Sequence, residues 1–181
     1  MYAVVAIFDT KTEQIIKNIW QELKKQSISC YAFEVEDRRP HITLASYNKM
    51  NINEFIREMD SFYDHQSAIS INFKTIGSFL NSGTLFLSPT LTKDLFDFHL
   101  SHHKHFEKYN NNPHSLYLPN HWIPHCTIAN RLPLDKLKEA FSYCSESISD
   151  INGKLVEIVL IEVLDKKKEA PTVFSKKLKY K

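Results

Sequence analysis

The sequence has few cysteines, and they are not arranged to form a disulfide framework or a zinc site. Among its 181 residues there are three, Cys30, Cys126 and Cys144, an odd number at wide spacing, and no CxxC pair occurs. Disulfide-stabilised secreted domains and zinc ribbons both require closely paired cysteines. The sequence therefore excludes both classes of protein.

The chain also lacks an excess of charge of one sign. It has 23 basic and 21 acidic residues, which give a net charge of +2 with histidine neutral. Proteins that bind long nucleic acid non-specifically carry a much larger positive charge. We therefore expect no long duplex nucleic acid as a partner, whereas a small phosphorylated substrate needs only local positive groups.

No long hydrophobic run is present. The N-terminal apolar stretch Tyr2–Phe8 is interrupted by Asp9 and has no basic residue before it. It is too short for a signal peptide or a membrane span, so we expect a cytoplasmic protein that does not bind a membrane. Hydrophobic residues make up 43% and charged residues 24% of the chain, values typical of a globular protein with a real core.

What is present is a series of elements that occurs twice. In the first half we predict a strand, a helix, a short strand, a strand with a His-x-Thr motif, a helix and a strand: Tyr2–Phe8, 10–26, Cys30–Val35, 40–47, 51–62 and Ile69–Leu80. The second half follows the turn at 81–83, with predicted elements at 84–90, 92–109, 124–129, Leu134–Cys144, Lys154–Leu164 and Thr172–Lys179. A charged turn is predicted at Asp165–Glu169.

This repeated order predicts an α+β fold with two pseudo-symmetric lobes. Each lobe would have a mainly antiparallel sheet with helices packed outside, and a cleft would lie between the lobes. No linker or low-complexity stretch separates the halves. We therefore predict a single domain over residues 1–181, with lobe one at about 1–82 and lobe two at about 83–181.

Two matching motifs carry the chemistry. Residues 40–45 read Pro-His-Ile-Thr-Leu-Ala, and residues 124–129 read Pro-His-Cys-Thr-Ile-Ala, 84 positions later. Side chains two apart on a strand share a face, so each motif presents an imidazole and a hydroxyl on the same side. Two such strands could converge on one small anionic group.

These four side chains suit the cleavage of a phosphoester. Because histidine titrates near neutral pH, either His41 or His125 can take a proton from the attacking oxygen while the other protonates the leaving oxygen. Thr43 and Thr127 would donate hydrogen bonds to the non-bridging oxygens. Such a mechanism requires no metal and no other cofactor.

The two motifs, the tryptophan Trp122 just before the second one and the duplicated order resemble the 2H phosphoesterase superfamily. That family includes 2′-5′ RNA ligase-like proteins and cyclic nucleotide phosphodiesterases. The resemblance implies a bilobal fold with His41 and His125 as the acid–base pair and Thr43 and Thr127 as phosphate ligands. It also implies metal-independent action on cyclic phosphates or 2′-5′ linkages of small nucleotides or RNA ends.

Two hypotheses follow, a phosphodiesterase and a nucleotide- or RNA-binding module with little turnover. The sequence favours the enzyme, because binding alone would tolerate the loss of one imidazole. A monomer is expected. Neither the ester nor the direction of proton transfer can be assigned from the sequence.

Four further residues are candidates for substrate binding. By strand alternation, Tyr47 is predicted to lie on the same face as His41 and Thr43. It could stack on a base or simply pack at a strand end. Arg131 could contact a phosphate or lie in solvent. Arg39, with its neighbour Arg38, could do the same or belong to a solvated loop. Trp122 is the fourth candidate.

Two other patterns are interpreted as structural. Four histidines at 99, 102, 103 and 105 lie on a predicted helix, but no acidic residue completes a zinc motif there, so we expect them on the helix surface. Cys126 adjoins His125, but strand alternation turns it to the opposite face. We therefore expect a buried structural cysteine rather than a nucleophile.

Overall fold

The structure is a computed structural model that describes residues 1–164 and 169–180. Within these ranges the elements are β1 (Tyr2–Phe8), α1 (Thr10–Lys25), β2 (His41–Tyr47), α2 (Ile52–Tyr63), β3 (Ile69–Ser78), β4 (Leu85–Pro89), α3 (Lys93–His105), β5 (Cys126–Ala129), α4 (Leu134–Ser147), β6 (Ile151–Glu162) and β7 (Thr172–Lys177). The predicted α+β class is confirmed. The charged turn predicted after Leu164 falls mainly on residues 165–168, which lie outside the described residues.

One antiparallel sheet joins all seven of these strands. The strand order is β2-β1-β6-β3-β4-β5, and β7 pairs with β6 beside this path. The two motif strands, β2 and β5, are thus at opposite ends of the path. They nevertheless contact each other, so the sheet curves until its two ends meet.

The hydrogen bonding exchanges a strand between the two halves of the chain. β6, from the second half, lies next to β1, and β3, from the first half, lies next to β4. The boundary predicted near residue 82 therefore describes the repeat along the chain. In space, each lobe takes its third strand from the other half.

The helices pack by the apolar faces that the sequence predicts. On α1 the side chains of Ile16 and Leu23 are fully buried, and on α2 those of Phe55 and Met59 are. The N-terminal caps are also those expected for these residue types; for example, Asp9 accepts a hydrogen bond from the backbone N–H of Thr12. None of the described helices is long and apolar enough to cross a membrane.

The strand predicted at Cys30–Val35 is wrong. Tyr31–Phe33 forms a single 3-10 turn, in which the backbone N–H of Phe33 donates to the carbonyl of Cys30. The Ser29 hydroxyl accepts from the backbone N–H of Tyr31, which supports this turn locally. A local side-chain bond of this kind competes with strand pairing.

Candidate active site

The two motif strands share the same irregularity. In β2 the pairing with β1 skips Leu44, and in β5 the pairing with β4 skips Ile128. These are the aliphatic positions of the two motifs, so each motif contains a β-bulge at the same place. After the bulge the side-chain alternation reverses, and Ser46 and Asn130 line the cleft.

Both motif histidines are held in the same tautomer. The ring nitrogen Nδ1 of His41 lies 2.8 Å from the carbonyl oxygen of Arg39, and Nδ1 of His125 lies 2.7 Å from that of Ile123. Because a carbonyl oxygen can only accept, each Nδ1 must carry a proton and donate it. In both neutral rings Nε2 is then the nitrogen available for proton transfer.

The electrostatic environment lowers the pKa of both imidazoles. Burial lowers the pKa of His41, and the charges of Arg38 and His125 lower it further. Burial also lowers the pKa of His125. A charge on one ring disfavours protonation of the other. The pair therefore accepts one additional proton more readily than two, which gives one neutral ring as base and one imidazolium as acid.

The two motifs are in direct proximity. The Cys126 thiol lies close to the backbone of His41, and the strands that carry the two motifs contact each other. Cys126 is 1% exposed, and burial raises the pKa of its thiol to about 12. The prediction of a buried structural cysteine is confirmed.

A tyrosine lies beside each motif threonine. The Tyr117 phenol lies close to the Thr43 side chain, and the Tyr31 phenol lies close to that of Thr127. Burial raises the pKa of both phenols, so both stay protonated and can donate. The sequence analysis missed both tyrosines, because they lie in irregular segments; the only signal was a tyrosine eight to ten residues before each motif histidine.

Each motif threonine is also braced by a tryptophan of the other half of the chain. The indole Nε1 of Trp122 donates to the backbone carbonyl of Thr43 at 2.9 Å, and that of Trp20 donates to the carbonyl of Thr127 at 3.3 Å. Trp122 was predicted to bind substrate. Its indole N–H is used instead to hold the first motif strand.

The cleft beside these groups has a volume of about 650 Å³. His41 and Thr43 line it directly, together with Tyr31, Tyr117 and both predicted arginines, Arg39 and Arg131. Thr127 and His125 are not among its lining residues, although Tyr31, which lies beside Thr127, is. The ring of His125 lies against two phenylalanine rings, 4.8 Å from Phe79 and 5.3 Å from Phe86 between centroids. A cavity of this size accommodates a nucleotide.

The two predicted arginines carry charges that other groups already neutralise in part. Arg39 forms ion pairs with Glu13 at 2.8 Å and with Glu157 at 3.0 Å. Arg131 has a positive φ of 57° just after β5 and pairs with Glu34. Both line the cleft, but Arg39 is turned towards carboxylates on α1 and β6.

The prediction that Tyr47 shares the face of His41 is wrong. Its side chain is 1% exposed, and its hydroxyl lies 2.8 Å from Nε2 of His102 in the core. The bulge at Leu44 is the cause, because it reverses the alternation between Thr43 and Tyr47. Tyr47 therefore cannot stack on a base in the cleft.

The helix-surface assignment of the α3 histidines is also wrong for three of the four. His99, His102 and His103 are 1%, 0% and 4% exposed. They support the first motif from behind: His103 Nε2 donates to the Leu44 carbonyl and His99 Nε2 to the Tyr117 carbonyl, at 3.0 and 2.9 Å. No cluster of three or more metal-ligating side chains occurs within the described part of the chain.

Comparisons with solved structures identify the same fold in other proteins. The structure of E. coli LigT in apo form superposes with a TM-score of 0.64 at 11% identity, over 98% of this chain and 96% of that one. E. coli LigT complexed with 3′-AMP gives 0.61 at 12% identity, over 98% and 97%. The Thermus thermophilus protein TT0787 gives 0.63 at 10% identity, also over 98% and 97%.

Comparison at the level of sequence gives a more specific result. None of the curated proteins matches significantly. The family model of the 2′-5′ RNA ligase superfamily, however, matches residues 11–167, which include both motifs and most of the chain. The chain therefore belongs to the 2′-5′ RNA ligase superfamily.

Proposed function

We propose that this protein is a phosphoesterase that acts on a cyclic phosphate or a 2′-5′ phosphodiester of a nucleotide or RNA end. His41 and His125 exchange the roles of general base and general acid according to the direction in which the substrate binds. Thr43 and Thr127 donate hydrogen bonds to the non-bridging oxygens of the phosphate. The reaction uses the side chains of the protein and requires no metal.

The observation that carries this proposal is the matched presentation of the two imidazoles. Each donates from Nδ1 to the carbonyl oxygen two residues earlier and keeps Nε2 for proton transfer. In hydrolysis of a 2′,3′-cyclic phosphate, one Nε2 takes a proton from water as the new P–O bond forms. The other histidine enters the reaction as an imidazolium, protonated on both nitrogens, and gives its Nε2 proton to the ribose oxygen as the old P–O bond breaks; the product is a phosphomonoester.

The alternative is a module that binds nucleotides or RNA ends with little turnover. It is favoured by one specific observation, since solved structures of E. coli LigT, which has a similar fold, hold 3′-AMP and ATP. The paired histidines favour the enzyme over this alternative, because a binding pocket does not need two rings with the same free nitrogen.

The two hypotheses are separated by turnover assays in EDTA with 2′,3′-cyclic nucleotides and 2′-5′-linked oligoadenylates. We expect His41→Ala and His125→Ala each to lower kcat by at least about 100-fold, the usual contribution of one positioned acid or base. The matched control is His65→Ala, because that side chain is 80% exposed and carries no role in the proposal.

Turnover in either motif variant equal to that of the wild type would refute the acid–base assignment. Loss of wild-type activity in EDTA would refute the metal-independent reaction. Tight binding of nucleotides with no turnover of any ester would establish the alternative.

A further inference from the structure

Two adjacent arginines before the first motif have different surroundings. Arg39 is held by Glu13 and Glu157, so its charge is neutralised within the protein. For Arg38, no carboxylate partner is found among the residues that the structure describes. Glu34, which belongs to the same loop as Arg38, pairs with Arg131 instead.

Arg38 lies over the junction of the two motifs. Its guanidinium carbon is 4.0 Å from the centre of the Tyr31 ring, and the Tyr31 hydroxyl contacts the Thr127 side chain of the second motif. Its charge also lowers the pKa of His41 in the first motif. Arg38 lines the same cleft as His41 and Thr43. One positive charge is therefore next to both halves of the site.

Part of this guanidinium is buried without a hydrogen-bond partner. Within the described ranges, Nε of Arg38 is one of two buried side-chain nitrogen or oxygen atoms that have none. A buried donor on a charged group is costly to leave unpaired, so this arginine has hydrogen-bonding capacity that the protein itself does not use. The contact with the Tyr31 ring positions the guanidinium in advance, and a planar fork of donors matches a phosphate.

We propose that Arg38 is the principal anion-binding residue of the cleft and that its guanidinium ligates non-bridging oxygens of the substrate phosphate. The inference rests on the proposed function, because it assumes that the ligand of the cleft is a phosphate ester. Arg131 is less suited to this role, since Glu34 already neutralises it.

The test compares Arg38→Met with Arg39→Met, which removes the same charge from the next residue of the same loop. Binding of 3′-AMP and of inorganic phosphate is measured by NMR titration, which is sensitive to weak affinities. We expect Arg38→Met to weaken 3′-AMP binding about 10- to 100-fold, the range expected for lost charge-assisted hydrogen bonds. Arg39→Met should keep the affinity within about three-fold, although it loses stability through Glu13 and Glu157.

A second variant separates ligand binding from a structural role. Arg38→Lys keeps the charge but loses the planar fork, so it should recover part of the affinity for 3′-AMP. In active protein, Arg38→Met should also move the limb of the pH–rate profile that belongs to His41 to higher pH, because a neighbouring cation is removed. Arg39→Met should leave that limb in place.

The results distinguish this inference from the proposed function. If the wild type binds 3′-AMP through Arg38 but turns over no ester, the proposed reaction fails and the anion site stands. If Arg38→Met binds 3′-AMP as tightly as the wild type, or loses no more affinity than Arg39→Met, the anion site is refuted whatever the activity. Failure of the wild type to bind either probe would refute it as well.

Discussion

At the scale of single residues, the site depends on how the two motif strands are held from outside the sheet. β2 and β5 are the ends of the strand path, and the carbonyl groups of Thr43 and Thr127 accept hydrogen bonds from indoles. An unpaired carbonyl at a sheet edge would otherwise be open to water or to another chain. Trp122 and Trp20 do not line the cleft, so they act on the positions of the motif side chains from outside it.

Trp122→Phe tests this positioning role. The phenyl ring can still pack against the His99 ring, which lies 3.8 Å from the indole and parallel to it, but the hydrogen bond to Thr43 is lost. We expect a loss of roughly 1 kcal/mol in the free energy of unfolding. We also expect a fall in kcat with little change in KM, because the strand that carries His41 and Thr43 is displaced.

Urea denaturation and steady-state kinetics measure these two effects. Trp20→Phe is the matched variant in the other half and should have the smaller effect, since its hydrogen bond is longer, at 3.3 Å. An unfolding free energy unchanged by Trp122→Phe would show that the indole does not support the strand.

The sequence predicts the four side chains of the proposed site but not the residues around them. His41, Thr43, His125 and Thr127 follow from strand alternation within each motif, where no bulge intervenes. The same alternation fails at Tyr47, because the bulge at Leu44 is a feature of pairing between two strands and has no signature in one strand alone. Neither the contact of Tyr31 with Thr127 nor the stacking of Arg38 on Tyr31 follows any local periodicity.

At the scale of elements, α3 is the helix whose role differs most from its appearance in sequence. The sequence predicts its histidines on the surface, because an imidazole is polar and no acidic residue completes a zinc motif on this helix. In the fold, His102 lies between two buried tyrosines, with Nδ1 2.6 Å from the Tyr63 hydroxyl and Nε2 2.8 Å from the Tyr47 hydroxyl. A neutral imidazole has one donor and one acceptor, so it can satisfy both hydroxyls, and burial is then tolerated.

This buried cluster predicts a loss of stability in mild acid. Burial lowers the pKa of His99 to about 4 and that of His102 well below its ordinary 6.5, and it also lowers the pKa of His103. Below pH 6.5 the unfolded chain therefore binds protons that the folded chain does not. The stabilisation is fully present above pH 6.5 and declines as the pH falls from 6.5 towards 4.

Urea denaturation between pH 7 and pH 5 measures the effect. Each histidine contributes at most about 1.4 kcal/mol per pH unit, so the three together give a slope of a few kcal/mol per unit in the steepest region. His102→Phe should be less stable at pH 7, because it leaves two tyrosine hydroxyls without their partner, yet its stability should depend less on pH. A wild-type unfolding free energy that stays constant over this range would contradict the account.

At the scale of the whole molecule, the two halves cannot form the site separately. β3 and β6 exchange between the halves, and the indole of each half braces the motif of the other. The repeat order can be predicted from the sequence, because each element has its own periodicity. The exchange cannot be predicted in this way, because either partner would bury the same alternating face of β3 or β6.

The central claim is that the two motifs form one proton-transfer pair. The most direct test is the kcat of His41→Ala, His125→Ala and the double variant on a 2′,3′-cyclic nucleotide in EDTA. Groups that act as a unit give strongly non-additive effects, so the double variant should lose about as much kcat as the more damaging single variant. A loss in the double variant equal to the product of the two single losses would show that the histidines act independently, and would contradict the claim.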